Sequence, residues 1–273
     1  MALATWEEIL AATEPFREAP RETAGVWDVD GVLAPIVDRA EDSEIPSGRR
    51  ELLRQFGGRF ATQALLSGRR SADARRLAML ETIWALGLHG VERLAPGAIE
   101  SVVDRRLAPW AARVEALLEF VDSNAGDLLA YLGVRPENKQ FAGAWHWRGS
   151  PQLELAEKFG EFLEALAQAK GFNTRNSMQT MEFLHTVPGS KADGVIWLVY
   201  ESGARRAFYV GDGLTDVDAF RGLDVLVDEG ALSYALRVGV SHPEVPTELV
   251  EAADIMVDGP AGVDEFLRAL LHD

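Results

Sequence analysis

The chain has 273 residues, enough for one large domain or for a core carrying an inserted second one. Hydrophobic residues make up 47% and charged residues 26%, a globular balance, and the absence of cysteine excludes disulfides, thiolate metal sites and cysteine nucleophiles. A formal net charge of -16 repels nucleic-acid backbones and anionic membranes, so no nucleic acid and no membrane is expected as a partner.

The same charge repels a phosphorylated substrate at long range, so such a substrate would need a local positive centre, for which a bound divalent cation is the natural choice. No uncharged apolar run reaches the roughly 18 residues of a membrane span. The stretch Met1 to Ala19 is broken by Glu7, Glu8, Glu14, Arg17 and Glu18, so it does not read as a secretory leader. The expected location is cytoplasmic.

In chain order, Ala24 to Asp28 is a short apolar run ending in acidic residues and Gly31, and reads as a strand. Phe60 to Leu66 reads as a second strand, stopped by Ser67-Gly68-Arg69. From Ser71 a helical pattern follows, with Ala72, Ala74, Leu77 and Leu80 about a turn apart and Ser67 or Ser71 as its cap. Ile83 to Leu88 reads as a further strand, ending at His89-Gly90.

The middle has a different rhythm. Val102 to Val121 and Leu153 to Ala169 read as helices, and Gln140 to Trp147 and Met178 to Val187 as strands. Then the first rhythm returns: a helix over Ala192 to Tyr200, a strand over Arg206 to Val210, and a helix from Asp216 capped by Thr215. Strands over Tyr234 to Val240 and Asp254 to Val257 and a helix over Val263 to Leu271 complete the chain. Alternating strands and helices predict an α/β fold, a Rossmann-like parallel-sheet core with helices on both faces. Residues 1–95 and 188–273 are expected to form that core, with 96–187 as an inserted α+β domain.

Four pieces of this pattern carry chemistry. Asp28-Val-Asp30-Gly31 follows the first strand, where ligands bind in open α/β sheets, although Asp-x-Asp-Gly strings are also common turns. Ser67-Gly68-Arg69 offers a hydroxyl and backbone N–H groups at a helix start, suited to a phosphate. Lys191 stands at the head of a helix, where the macrodipole disfavours a cation unless an anion or carboxylate shares the site. Gly211-Asp212-Gly-Leu-Thr-Asp216 supplies further carboxylates, and Asp28, Asp212 and a backbone carbonyl would make a partial oxygen shell for Mg²⁺. Asp216 is expected to bind the ion directly or to orient its ligands.

Taken in order, these pieces resemble the four motifs of the haloacid-dehalogenase superfamily of phosphohydrolases, over the whole chain. The narrower resemblance is to trehalose-6-phosphate phosphatases. It is carried by Trp27-Asp-Val-Asp-Gly-Val-Leu-Ala-Pro-Ile36, Leu66-Ser-Gly-Arg69, Gly87-Leu-His-Gly-Val-Glu92, Glu137-Asn-Lys139, His146-Trp-Arg148 and Gly211-Asp-Gly-Leu-Thr-Asp-Val-Asp-Ala-Phe220. Three positions depart from that family's pattern: Val32 stands for threonine, Gly213 for a second aspartate and Val217 for glutamate.

The resemblance implies a Mg²⁺-dependent sugar-phosphate phosphatase with Asp28 as nucleophile, Asp30 as acid and base, and Lys191 and Ser67 on the phosphoryl oxygens. It implies metal binding by Asp28, Asp30, Asp212 and Asp216. Substrate contacts would fall to Ser67, Gly68, Arg69, His89 and Gly90, with Glu137, Lys139, His146 and Arg148 reading the sugar from a cap strand. On that strand Trp145 and Trp147 alternate with the polar residues and are expected to be buried. The expected partner is a small-molecule sugar phosphate, with trehalose 6-phosphate foremost. Sucrose 6-phosphate, mannosyl-3-phosphoglycerate, a phosphomutase and a silent sugar-phosphate-binding regulator stay open, and the motifs set no oligomeric state.

Overall fold

A computed structural model describes residues 2–37, 42–177, 179–187 and 189–272. The chain divides into two compact units, one of residues 1–102 with 189–273 and one of residues 103–188.

In the first unit the strands are β1 (Thr23–Trp27), β2 (Thr62–Leu66), β3 (Trp84–Gly87) and β4 (Glu92–Leu94), and β5 (Val102–Val103) straddles its boundary. After residues 103–188 come β10 (Arg206–Gly211), β11 (Tyr234–Val240) and β12 (Ile255–Val257). The sheet order is β12-β11-β10-β1-β2-β3-β4-β5, with the pairs from β12 to β3 parallel and β3–β4 antiparallel.

Strand side chains alternate between faces, and here both faces are covered, which is why all five residues of β1 are buried. Trp27 and Phe208 point to a layer holding α1 (Trp6–Glu18), α2 (Ser47–Arg59) and α9 (Gly259–Leu271), with Phe16, Phe56 and Phe266 around them. Ala24, Val26 and Tyr209 point the other way, onto α6 (Lys191–Ser202), α7 (Asp216–Asp228) and α8 (Thr247–Ala252). Of these, α1, α2 and α8 escape a periodicity reading. Helix α1 carries Glu and Arg around its exposed face and Pro15 inside, and the Thr5–Glu8 capping box marks its start.

The short helix α3 (Ser71–Ala78) follows β2, but neither Ser67 nor Ser71 caps it. The capping position belongs to Arg70, whose side chain makes no cap bond, and the Ser71 N–H is taken by Glu92 Oε2 at 2.7 Å. The expected Thr215 cap of α7 is also replaced: Thr215 holds the position without a side-chain bond. The preceding turn is closed instead by Asp216 Oδ2, which accepts from the Asp212 and Gly213 N–H groups at 3.0 and 2.8 Å.

The second unit is a four-stranded antiparallel sheet in the order β6-β7-β9-β8, made of β6 (Arg135–Asn138), β7 (Ala142–His146), β8 (Asn173–Ser177) and β9 (Thr180–Leu184). Its helices are α4 (Ala108–Leu132) and α5 (Leu153–Ala169). Helix α4 begins later than the apolar pattern suggests, because Pro109 fits the first turn and Val102–Val103 is extended. It ends at Gly133, in the left-handed region at φ 66. Met178, where a strand was expected to begin, and Pro188, the expected start of the returning core, lie outside the described residues. The sequence boundary at residue 96 falls short of the compact unit's start at 103, because Ala95 and Ala98 still accept from the Arg75 guanidinium.

Candidate active site

Strand parity aims the first carboxylate. Ala24 and Val26 face the α6–α7 layer, and Asp28, two residues on, continues to that side just past the end of β1. There it meets Lys191, the first residue of α6, with Nζ 2.8 Å from Asp28 Oδ2. The other oxygen, Oδ1, accepts from the Val29 N–H at 2.7 Å, so the carboxylate has a fixed orientation. Gly31 follows at φ +81, and a Cβ there would collide with the Asp212 carboxylate; glycine is what lets the two acidic turns approach.

Lys191 is 3% exposed and its Nζ also lies 2.6 Å from Asp216 Oδ1, the same atom that accepts from Tyr209 OH at 2.5 Å. Both oxygens of Asp216 are thus supplied with donors, Lys191 and Tyr209 on one and the Asp212 and Gly213 amides on the other. The carboxylates of Asp28, Asp212 and Asp216 bring oxygens within 4.8 Å of one another.

Three buried acids around one lysine leave a surplus of negative charge, and the acids respond differently. Burial lifts the Asp28 carboxyl to about 7, with the Asp216 charge adding and Lys191 opposing. Asp212 is raised well above its usual range by burial and by the neighbouring Asp28. Burial also pushes Asp216 up, but the charge and hydrogen bond of Lys191 outweigh it and hold this carboxyl below its usual value. Burial likewise works against the Lys191 ammonium, and the two aspartates override it, so the lysine stays charged.

Asp30 stands apart from that cluster. Its carboxylate is forked by Arg69, Nε to Oδ2 and Nη2 to Oδ1, both at 2.7 Å, with Ser43 Oγ at 3.4 Å. Ser67 is buried after β2, and its Oγ accepts from the Arg69 N–H at 3.2 Å. His89 packs its ring over Gly68, where a Cβ would come within 3.1 Å. Gly90 is buried with its Cα side against Gly194 of α6, a packing position in this unit.

In the second unit, Glu137 and His146 sit on one sheet face, with His146 Nε2 2.8 Å from Glu137 Oε2 and Nδ1 3.0 Å from Thr180 Oγ1. Lys139, just past β6, pairs with Glu182 at 2.5 Å and with Glu137 at 3.7 Å. Arg148 lies beyond β7, and its carbonyl accepts from Arg135. Trp145 and Trp147 are buried, as the alternation requires.

Some residues at these sites give no signal to a sequence reading. Glu182 and Thr180 join the polar face only through the β7–β9 register. Tyr209 looks like any strand aromatic. His242 follows β11 at the same sheet end as the aspartates, and that position was the available hint. Its Nδ1 accepts from the Glu244 N–H at 3.2 Å, so Nε2 carries the proton and donates to the Asp212 carbonyl at 3.0 Å.

The donor set suits a hard divalent cation. Asp28 and Asp212 present carboxylate oxygens not saturated by other donors, and the surplus negative charge would be offset by such an ion. No second carboxylate stands at Gly213, although a Cβ there would meet only Asp216 Oδ2 at an ordinary 3.6 Å. Nothing in the structure explains the glycine.

Residues 26–248 match the trehalose-phosphatase family model. A trehalose-phosphate phosphatase of Mycobacterium ulcerans is 28% identical over 89% of this chain and 60% of its own length. An uncharacterized glycosyl hydrolase of Mycobacterium tuberculosis is 28% identical over 93% of this chain and 18% of its own. The chain therefore spans from about a fifth to three-fifths of the length of these curated relatives. Among solved structures, the C-terminal domain of Candida albicans trehalose-6-phosphate phosphatase superposes with a TM-score of 0.75 at 18% identity, covering 98% of this chain and 97% of that one. Among the described residues no helix is long and apolar enough to cross a membrane. With its mostly parallel sheet and haloacid-dehalogenase-like fold, the chain belongs to the trehalose-phosphatase family.

Proposed function

We propose that this chain is a Mg²⁺-dependent phosphatase that hydrolyses trehalose 6-phosphate through an aspartyl-phosphate on Asp28. The observation that carries the reading is Asp28 held between Lys191 and Val29 N–H at the carboxyl end of β1, with Asp212 beside it, in a chain of this family. Asp28 attacks phosphorus in line as the sugar oxygen departs, and water then cleaves the acyl phosphate. Lys191 balances charge on the transferring group, and Ser67 donates its hydroxyl hydrogen to a non-bridging oxygen.

Asp28 and Asp212 would hold Mg²⁺, with Asp216 and His242 fixing the Asp212 backbone from its two sides. When bound, the cation offsets the repulsion between carboxylate and phosphate. Asp30 is the acid and base. To act as acid it must carry a proton, and a neutral carboxyl group is a weaker partner for the Arg69 fork than the carboxylate is. A phosphate dianion competing for Arg69 would release Asp30 for that role. Recognition of the sugar is assigned to Glu137, Lys139 and His146 on the polar sheet face of the second unit, and to Arg148 just beyond β7. The chain works as a small-molecule enzyme in the cytoplasm.

The test is phosphate release from a panel of sugar phosphates, with Mg²⁺ and with chelator. A chelator-sensitive preference for trehalose 6-phosphate is expected. Preference for sucrose 6-phosphate or mannosyl-3-phosphoglycerate would keep the chemistry and move the substrate; no release from any member would sink the reading. Asp30→Asn should lower kcat by about 10² to 10⁴, since protonating the leaving oxygen is only part of the barrier. Steady-state kinetics check this, and an unchanged kcat would remove Asp30 from proton transfer.

A further inference from the structure

Glu92 is a fully buried acid that the proposed chemistry does not use. It lies on β4, just after a return in the chain that few sequences would accept. Leu88 and His89 both adopt left-handed conformations, φ 51 and 59, and Gly90 follows at φ +100. Two successive non-glycine residues in that region are costly, so their surroundings must hold them there. What holds them is the loop after β2: the Leu88 N–H donates to the Arg69 carbonyl at 2.9 Å and the His89 N–H to the Ser67 carbonyl at 3.0 Å.

Two residues on, Glu92 grips the next part of the same loop. Its carboxylate accepts from Arg70 Nε at 2.9 and 3.0 Å, Arg70 Nη2 at 2.6 Å, the Ser71 N–H at 2.7 Å and Ser101 Oγ at 2.9 Å. Burial alone would push this carboxyl up, but the Arg70 guanidinium and the Ser71 amide outweigh it and hold it below the usual range. Gly87 seals the junction, because a Cβ there would press on the Ser71 amide, the Arg69 carbonyl and Glu92 Oε2 together.

Arg70 bonds Glu92 while its neighbour Arg69 bonds Asp30, so two adjacent guanidiniums of this loop are anchored to different carboxylates. We propose that Glu92 is a positioning residue that sets Ser67, the Gly68 amide and Arg69 in register for a phosphoryl group, which rests on the phosphatase reading given above. Glu92 touches neither substrate nor metal in this role. It fixes the loop through Arg70 and the α3 amide.

The experiment compares wild type, Glu92→Gln, Arg70→Lys and Ser67→Ala by two readouts. One is the inhibition constant of inorganic phosphate together with KM and kcat; the other is Mg²⁺ binding by calorimetry. Glu92→Gln keeps the side chain's shape but loses the charge and the double acceptor for the Arg70 fork. It is expected to raise KM and the phosphate inhibition constant about 10- to 100-fold, with Mg²⁺ affinity within about 2-fold of wild type. Arg70→Lys, partly exposed and safe to fold, should move the same constants the same way by several-fold, because an ammonium cannot reproduce the fork.

Folded variants with unchanged phosphate affinity would overturn the proposal. So would an equal fall in Mg²⁺ affinity, which would show a general loosening. If Ser67→Ala leaves the phosphate constant unchanged, the loop is not the phosphate site and the underlying reading fails. If only Ser67→Ala raises it, that reading stands and the role of Glu92 falls.

Discussion

Asp28→Asn is expected to remain folded and to release no measurable phosphate from the substrate that the wild type prefers. The amide keeps the shape of the side chain but offers no nucleophilic oxygen anion, and loss of a nucleophile costs on the order of 10⁴-fold or more. Folding should survive because burial already favours an uncharged group here, with the Asp28 carboxyl lifted to about 7. Lys191 keeps its partner in Asp216 at 2.6 Å. Single-turnover phosphate release, with circular dichroism as the folding control, makes the measurement. Turnover near wild type in a folded variant would remove Asp28 from the chemistry.

Lys191→Met should have the largest effect on stability. The ammonium is almost fully buried and pairs with two carboxylates, so its removal strands their negative charge in a buried site. Breaking a buried pair from one side costs about 3 to 5 kcal/mol. The loss should depend on pH with a definite sign. Without the lysine, Asp28 and Asp216 are carboxyls raised by burial and mutual repulsion, and the folded state binds protons that the unfolded chain has already released. Stability of the variant must therefore rise as pH falls from about 8 towards 5, narrowing the gap to wild type. Urea unfolding of metal-free protein across that range tests it; a gap that stays constant would show that Lys191 does not act as the charge partner. Activity should be lost together with the cation.

The apolar runs before Asp28 and Asp212 are legible because both strands are buried on two faces and read as continuous hydrophobic stretches. Helix α2 gives no such signal, because its sequence Ser-Gly-Arg-Arg-Glu-Leu-Leu-Arg-Gln-Phe-Gly-Gly-Arg holds few apolar residues and three glycines. Its Leu53 and Phe56 are nevertheless fully buried, so tertiary packing overrides a weak local signal. Helix starts went astray for a related reason. Serines near the start of α3 satisfy the local rule, yet neither caps it, and the first amide of the helix, the Ser71 N–H, is held by Glu92, 21 residues away in the chain.

What the sequence by itself determined is the set of strand ends that carry Asp28, Ser67 and Asp212, and the helix start that carries Lys191. Those follow from hydrophobic runs and turn chemistry, which are local properties of the chain. Only the tertiary structure decided the pairings: Lys191 with Asp216 across 25 residues, Arg69 with Asp30 across 39, and Lys139 with Glu182 across 43. It also decided that Asp216 is saturated by four donors, whereas Asp28 and Asp212 remain open to a cation. A carboxylate's role depends on which donors surround it and how much water is removed, and both are set by residues distant in sequence that the sheet brings to one end.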